Sequence, residues 1–548
     1  MTETPRPWWQ TATGYQVYPR SFCDSDGDGI GDIPGIITKL DHLRDLGIGF
    51  IWLSPVYKSP MADNGYDISD YRDIAPEFGT LADFDRLVAE AKARGVGIVM
   101  DLVVNHSSSD HAWFHAACAS RDAPEHDYYI WRDPAPDGGP PTDRHSFFGG
   151  PCWTYVPAVG QYYLHLFSPE QPDLNWANPA LREEVYDLMR FWLDRGIAGY
   201  RMDVIDLIGK DIDNGFYDGG PFTYDYLAEM RAETFGDRDV VTVGESWNVT
   251  TETAKYFCGA EGSLDMVFQF HHVMAGHDPV HGKWKPKPFD LVVFKRVFRD
   301  WQAALETDGW NSLFLSNHDL PRQVSKYADD GVYRVQSAKM LATVMHLMKG
   351  TPFIYQGEEI GMTNVTFDRL DQFRDVETLG HYEEETARGV SFDDFMAGAN
   401  ANGRDNARTP MQWTAGNHAG FTTGAPWIEV NPNHTEINVE ADRADPDGVF
   451  AHYQKLIALR RDLPVITDGS FHLVDEENPD VFAYERVLDG KRMIVVGSFS
   501  GEDRDFDVPK DWQGRGRCLI ANYPEREDLA PRIQLRPYEA FAMVMAAG

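Results

Sequence analysis

The chain has 548 residues, 43% hydrophobic and 13% aromatic, enough to bury one large core and a smaller second one. Its 50 Lys and Arg stand against 86 Asp and Glu, a formal net charge of -36, and such a surface repels nucleic acid and anionic lipid. The opening MTETPRPWWQ carries no apolar run behind a basic start, and no stretch has the uninterrupted apolar length of a membrane span, so a cytoplasmic protein is expected, as monomer or homodimer.

From Thr13 onward, short apolar runs alternate with amphipathic stretches, the pattern of parallel strands joined by crossover helices. In chain order the predicted strands are Tyr15 to Tyr18, Phe50 to Ser54, Gly97 to Val103, Gly199 to Val204, Val240 to Glu245, Leu264 to Phe268, Ser312 to Asn317 and Pro352 to Tyr355. Helices are predicted over Ile33 to Leu46, Leu81 to Arg94, Leu181 to Arg195, Phe289 to Leu305 and Tyr333 to Met348. Eight strands in this order fit a closed α/β barrel of the (β/α)8 TIM type better than an open doubly wound sheet. An aromatic-rich stretch after the third strand is too long for a loop and reads as an inserted small domain, 106–176. A second polar insertion runs from Asp371 to about Asn438. The barrel thus spans 1–105 and 177–470, ending on a helix over Phe450 to Leu463, and 471–548 alternates apolar and polar residues as a C-terminal antiparallel β-domain. The 5 cysteines are scattered without metal-ligand spacing and read as reduced.

Barrels of this type build their sites at the C-terminal ends of the strands. There the sequence places Asp101 to His106, Arg201-Met202-Asp203, Gly244-Glu245 and Asn317-His318-Asp319. Three acids, Asp203, Glu245 and Asp319, share a rim with an arginine and two histidines, a set suited to glycoside hydrolysis through an oxocarbenium-like transition state. A metal hydrolase is the competing reading, but it requires histidines at close spacing on the first strand, and Tyr15 to Pro19 holds none.

The strings DLVVNH ending at His106, QPDLN at Gln171 to Asn175, GYRMDV at Gly199 to Val204, VGES ending at Ser246 and LSNHD ending at Asp319 resemble, in order, those of the α-amylase family, in particular its oligo-1,6-glucosidase and dextran glucosidase branch. The resemblance implies Asp203 as nucleophile, Glu245 as general acid/base and Asp319 as transition-state stabiliser. It places the Asp203 and Glu245 carboxyls about 5 to 5.5 Å apart, and the acid catalyst has a raised pKa. His106, His318 and Arg201 are expected to bind hydroxyls. Asp63 and Tyr66 of ADNGYD, with Arg404 or Arg408 of GRDNARTPMQW, resemble the closed floor of an exo-acting pocket, Arg404 being favoured. Phe148, Phe167 and Trp247 are expected in its wall. Val204, directly after Asp203, goes in these enzymes with α-1,6 linkages, whereas Ala or Thr goes with α-1,4. The expected reaction is hydrolysis of short α-glucosides, with glucosyl transfer or sugar isomerisation as the alternative on this scaffold and a non-catalytic relative as a third possibility. The run DSDGDGIGD from Asp24 to Asp32 alternates carboxylates round a glycine turn, which suits Ca2+. It is not an EF-hand, since Gly35 takes the place of the bidentate Glu. A structural ion held by Asp24, Asp26, Asp28, the Ile30 carbonyl and Asp32 is expected.

Overall fold

The computed structural model describes residues 6–524, 526 and 529–545. Eight parallel strands carry the fold: β1 (Gly14–Val17), β2 (Phe50–Leu53), β3 (Gly97–Leu102), β4 (Gly199–Met202), β5 (Val241–Glu245), β6 (Met266–Phe268), β7 (Ser312–Leu313) and β8 (Thr351–Tyr355). Their hydrogen-bonded order is β6-β5-β4-β3-β2-β1-β8-β7. A parallel bridge from Val267 to Asn311 joins the two edges and closes the barrel.

Nearly every strand residue is buried, because one face fills the barrel and the other meets the helices. The interior is packed with Phe50, Trp52, Val99, Val243, Phe268 and Phe353 among others. Each such side chain contributes about 1.5–3 kcal/mol when fully removed from water. Gly14 leaves room for that packing: a Cβ there would lie 2.7 Å from the Phe50 ring.

The outer ring includes α1 (Ile33–Leu46), α2 (Leu81–Ala93), α3 (Pro179–Asp194), α4 (Leu291–Ala304) and α5 (Arg334–His346). Local signals set their ends. Asp32 caps α1 by accepting from the Gly35 N–H, Gly47 closes it at φ 98, and Thr80 with Asp83 forms a capping box at the start of α2.

Between β3 and α3 lies a helix, Ala112–Ala119, and an antiparallel sheet of Trp131–Arg132, Gln161–Leu164 and Trp153–Val156. After β8 the chain forms α6 (Val376–Ala387) and a helix at Phe392–Asn402, then the helix Val449–Asp462. A five-stranded antiparallel sheet begins at Ser470. It is tied to the barrel by Lys295 of α4, whose Nζ donates to the carbonyls of Asp475, Asn478 and Val481 at 3.0, 2.7 and 3.0 Å. Among the described residues no helix is long and apolar enough to cross a membrane.

Two strands stop more than one residue short of expectation. β7 stops at Leu313, because Ser316 and Asn317 are already engaged at the rim, Ser316 donating to Glu358 and Asn317 accepting from the Asp319 N–H. β4 stops at Met202, and Val204 is not in strand conformation at all: its φ is 34° and its ψ 46°.

Candidate active site

At the C-terminal mouth of the barrel a cavity of about 540 Å³ is lined by Asp63, Tyr66, His106, Phe148, Phe167, Asp203, Val204, Glu245, Trp247, Asp319 and Arg404. The sequence named these, but not Asp206, Trp284, Lys326 or Glu377, which line the cavity as well.

One end of the cavity is organised by Arg201 at the end of β4, 1% exposed. Its Nη1 donates to Asp101 at 2.8 Å and to Asp203 at 2.7 Å, and its Nη2 donates to Glu245. The Trp52 ring lies 4.8 Å from the guanidinium. Asp101, at the end of β3, also accepts from the Trp52 indole at 3.0 Å and the Tyr66 hydroxyl at 2.9 Å, so it is occupied as scaffold. Glu245 ends β5 and accepts from the Trp247 indole N–H at 3.0 Å and the Val204 backbone N–H at 3.1 Å. That amide opens the left-handed turn at Val204. A β-branched side chain rarely adopts this conformation, which costs about 1–3 kcal/mol and persists because the surroundings fix it.

Three carboxyls thus share one guanidinium. Burial pushes Asp203 well above the ordinary carboxylate range, with the Glu245 and Asp101 charges adding to the push and Arg201 opposing it. Asp101 is raised by burial as well, against Arg201. Both Asp101 and Asp203 are thus held toward their neutral forms, with the one guanidinium as the opposing charge.

The other end is closed by ion pairs. Arg404 donates to Asp63 at 3.0 Å and Asp319 at 3.3 Å, and its Nε donates to Asp375, the N-cap of α6, at 2.8 Å. The Phe148 ring lies 4.7 Å from its guanidinium, and Phe148 packs edge-on against Phe167. Gln171 donates to the second oxygen of Asp63 at 3.2 Å. Burial opposes ionisation of Asp319, but the flanking arginines Arg404 and Arg408 hold it well below the usual range. Burial lowers His318 to about 3, so its ring is neutral. Its Nδ1 accepts from Gln16 at 2.8 Å, leaving Nε2–H to donate to Asp319 at 3.2 Å. Burial pushes Asp63 up to about 6 in spite of Arg404. His106, lowered by burial to about 4, has its Nε2 3.0 Å from the Tyr66 carbonyl.

Arg201 and His318 were expected to contact hydroxyls, and Arg408 was the alternative to Arg404 in the floor, yet none of the three lines the cavity. Each stands one layer back. Arg408 has no exposed side-chain surface and spends its donors on Asp319 at 2.8 Å and the His318 carbonyl at 3.1 Å. His318 stacks against Tyr66 at 5.1 Å. The two arginines the sequence left open therefore divide: Arg404 faces the cavity and Arg408 supports Asp319 from behind.

Sequence reasoning missed Gln171 as the Asp63 partner, Asp375, and the roof of the cavity. That roof is α6, which reaches the inserted segment through His145–Glu384 at 2.8 Å and the segment before α4 through His281–Glu385 and Lys283–Glu377, both at 2.6 Å. A capping signal at Asp375 was readable; the long-range pairs were not.

On the loop before α1, ligand atoms of Asp24, Asp26 and Asp28 lie within 4.8 Å of one another. None of the three pairs with a Lys or Arg among the described residues, so a hard cation fits the donor set. Ile30 lies beside them, its N–H donating to Asp28 at 2.8 Å. Asp32 is not part of the group. One of its oxygens caps α1 and the other accepts from the Ser25 N–H and hydroxyl at 2.9 and 2.8 Å.

Comparison with known proteins follows this geometry. A family model described as "Alpha amylase, catalytic domain" matches residues 16–469. Among curated proteins, a palatinase of Erwinia rhapontici is 54% identical, with 98% of this chain and 99% of the relative covered. An oligo-1,6-glucosidase of Halalkalibacterium halodurans is 51% identical, covering 97% of this chain and 98% of the relative. Among solved structures, the isomaltulose synthase of Protaminobacter rubrum superposes with a TM-score of 0.96 at 39% identity, covering 99% of this chain and 100% of that one.

Proposed function

The chain belongs to the α-amylase family of glycoside hydrolases, and from that premise we propose that it is a retaining, exo-acting α-glucosidase releasing glucose from the non-reducing end of short α-glucosides, α-1,6-linked ones preferred. The observation that carries the reading is the single Arg201 guanidinium gripping Asp203 and Glu245 side by side on its two terminal nitrogens. Two carboxyls held on one guanidinium are neighbours, which supports the close pairing of a retaining mechanism, about 5–5.5 Å, over the wider gap that lodges a water.

Glu245 protonates the glycosidic oxygen while Asp203 attacks the anomeric carbon, forming a glucosyl ester. Water then enters, Glu245 takes its proton, and the ester is released with configuration retained. Arg201 offsets charge on both carboxylates throughout. Asp319, Asp63 and Arg404 bind the hydroxyls of the terminal glucose, and their ion pairs leave no passage for a longer chain beyond it. Val204, in the wall beside Glu245, narrows the space for the leaving sugar; the oligo-1,6-glucosidase relative supports the α-1,6 preference.

A panel of α-1,6, α-1,4 and α-1,2 glucose disaccharides with sucrose tests this. The highest kcat/KM is expected for isomaltose, with α-glucose as the first product; initial β-glucose, or cleavage within longer chains, would overturn it. The likeness to an isomaltulose synthase supports a second reading, transfer to a sugar acceptor, and isomers outweighing glucose and fructose from sucrose would establish that instead.

Asp24, Asp26 and Asp28 are assigned to a structural divalent cation such as Ca2+, which ties the loop before α1 to Thr422 through Asp24. A chelator is expected to lower Tm by about 2 °C, with Ca2+ restoring it; an unchanged Tm removes the assignment. The compartment proposed is the cytoplasm, in keeping with 5 cysteines and no disulfide among the described residues.

A further inference from the structure

Asp206 lies on the short turn Ile205–Leu207 that follows Val204, 3% exposed and in the wall of the same cavity. Its Oδ2 accepts from the Ser246 hydroxyl at 2.8 Å and, at greater length, from the Asn248 side-chain amide at 3.3 Å and backbone N–H at 3.4 Å. Ser246 Oγ accepts in turn from the Val249 N–H at 3.0 Å. One carboxylate therefore organises the whole turn after Glu245. That turn carries Trp247, whose ring is stacked on Phe270 at 3.9 Å and whose indole N–H reaches Glu245.

No Lys or Arg pairs with Asp206 among the described residues. The titratable groups that face it are Glu245 from β5 and Tyr224 from the helix Thr223–Met230, and neither supplies a positive charge. Burial pushes Asp206 up to about 6, its donors opposing and Glu245 adding, so at pH 7 it is mostly ionised.

We propose that Asp206 is a positioning residue for the acid step: it fixes the turn that aims Trp247 at Glu245. The proposal rests on the reading of Glu245 as acid/base. Without the carboxylate, Ser246 and Asn248 lose their common acceptor, and the Trp247 indole that holds the acid in place is no longer aimed at it.

The test compares wild type with Asp206→Asn and Asp206→Glu on two substrates. Isomaltose has a poor leaving group and needs the acid; p-nitrophenyl α-glucoside has a good one and hardly does. For Asp206→Asn the loss of kcat on isomaltose is expected to be about tenfold against less than about threefold on the nitrophenyl glucoside. Asp206→Glu, which keeps an acceptor carboxylate, is expected to narrow that difference. Equal losses on both substrates would show a structural role only and overturn the proposal. If Asp206→Asn does not accumulate as folded protein, Ser246→Ala decides the proposal: greater loss on isomaltose supports it and equal loss overturns it. Wild type that cleaves neither glucoside defeats the proposed function itself, a different result from either.

Discussion

Two buried charge clusters face each other across the cavity, similar in distances and different in balance. Around Arg201 three carboxyls share one guanidinium; around Arg404 and Arg408, Asp63, Asp319, Asp375 and Glu377 share two. Burial acts on both in the same direction. In the first it prevails, and Asp203 and Asp101 rise; in the second the added cation drives Asp319 and Asp375 well below the usual range. The number of guanidiniums per carboxyl, rather than proximity, thus decides whether burial or the cations set a carboxyl's shift; in the function proposed, the first cluster serves the chemistry and the second grips hydroxyls. Asp63 is intermediate, since it meets one edge of Arg404 alone.

The largest expected effect separates the two ends. Asp203→Asn keeps the shape and removes the nucleophile, so kcat is expected to fall by about 10⁴-fold or more while isomaltose still binds, as calorimetry would show. Residual turnover within tenfold of wild type would break the division of labour. Arg201→Lys is smaller. A point charge cannot serve three carboxyls at once, and a drop in kcat of about 10²-fold with little change in KM is expected; a rise in KM instead would mean that the two clusters are not separable.

The mildest effect sharpens the intermediate case. Asp63 titrates near 6, above the ordinary value, so it gains a proton as pH falls through that point. Protonation favours the folded state at this site but deprives Arg404 of its partner, so KM is expected to rise below pH 6 without loss of Tm. A KM that is flat from pH 7 to 5 would place Asp63 outside the grip.

Asp203 and Glu245 were legible because a barrel strand shows as an apolar run whose end marks the rim, whereas Asp319 lies on the loop six residues beyond β7 and was found through its motif. What escaped depends on distance or on strain. Asp63 and Arg404 are 341 positions apart, and no local pattern announces their contact; only the family resemblance did. Val204 reads as a strand residue from its branching, yet the mouth forces it into a left-handed turn. Asp206 gives no local signal, because its partners Ser246 and Asn248 lie on the turn after the next strand. Asp32 was assigned to the cation loop although the Asp-Ile-Pro order already marked a helix start, and that signal proved the stronger.

The ion pairs at the far end have a kinetic corollary. With Arg404 bridging Asp63 and Asp319, traffic is confined to one doorway: the aglycone must depart before water can reach the ester, and glucose leaves last. Free glucose should therefore compete with substrate for the vacant enzyme, and turnover should slow as product accumulates, whichever linkage is being cut.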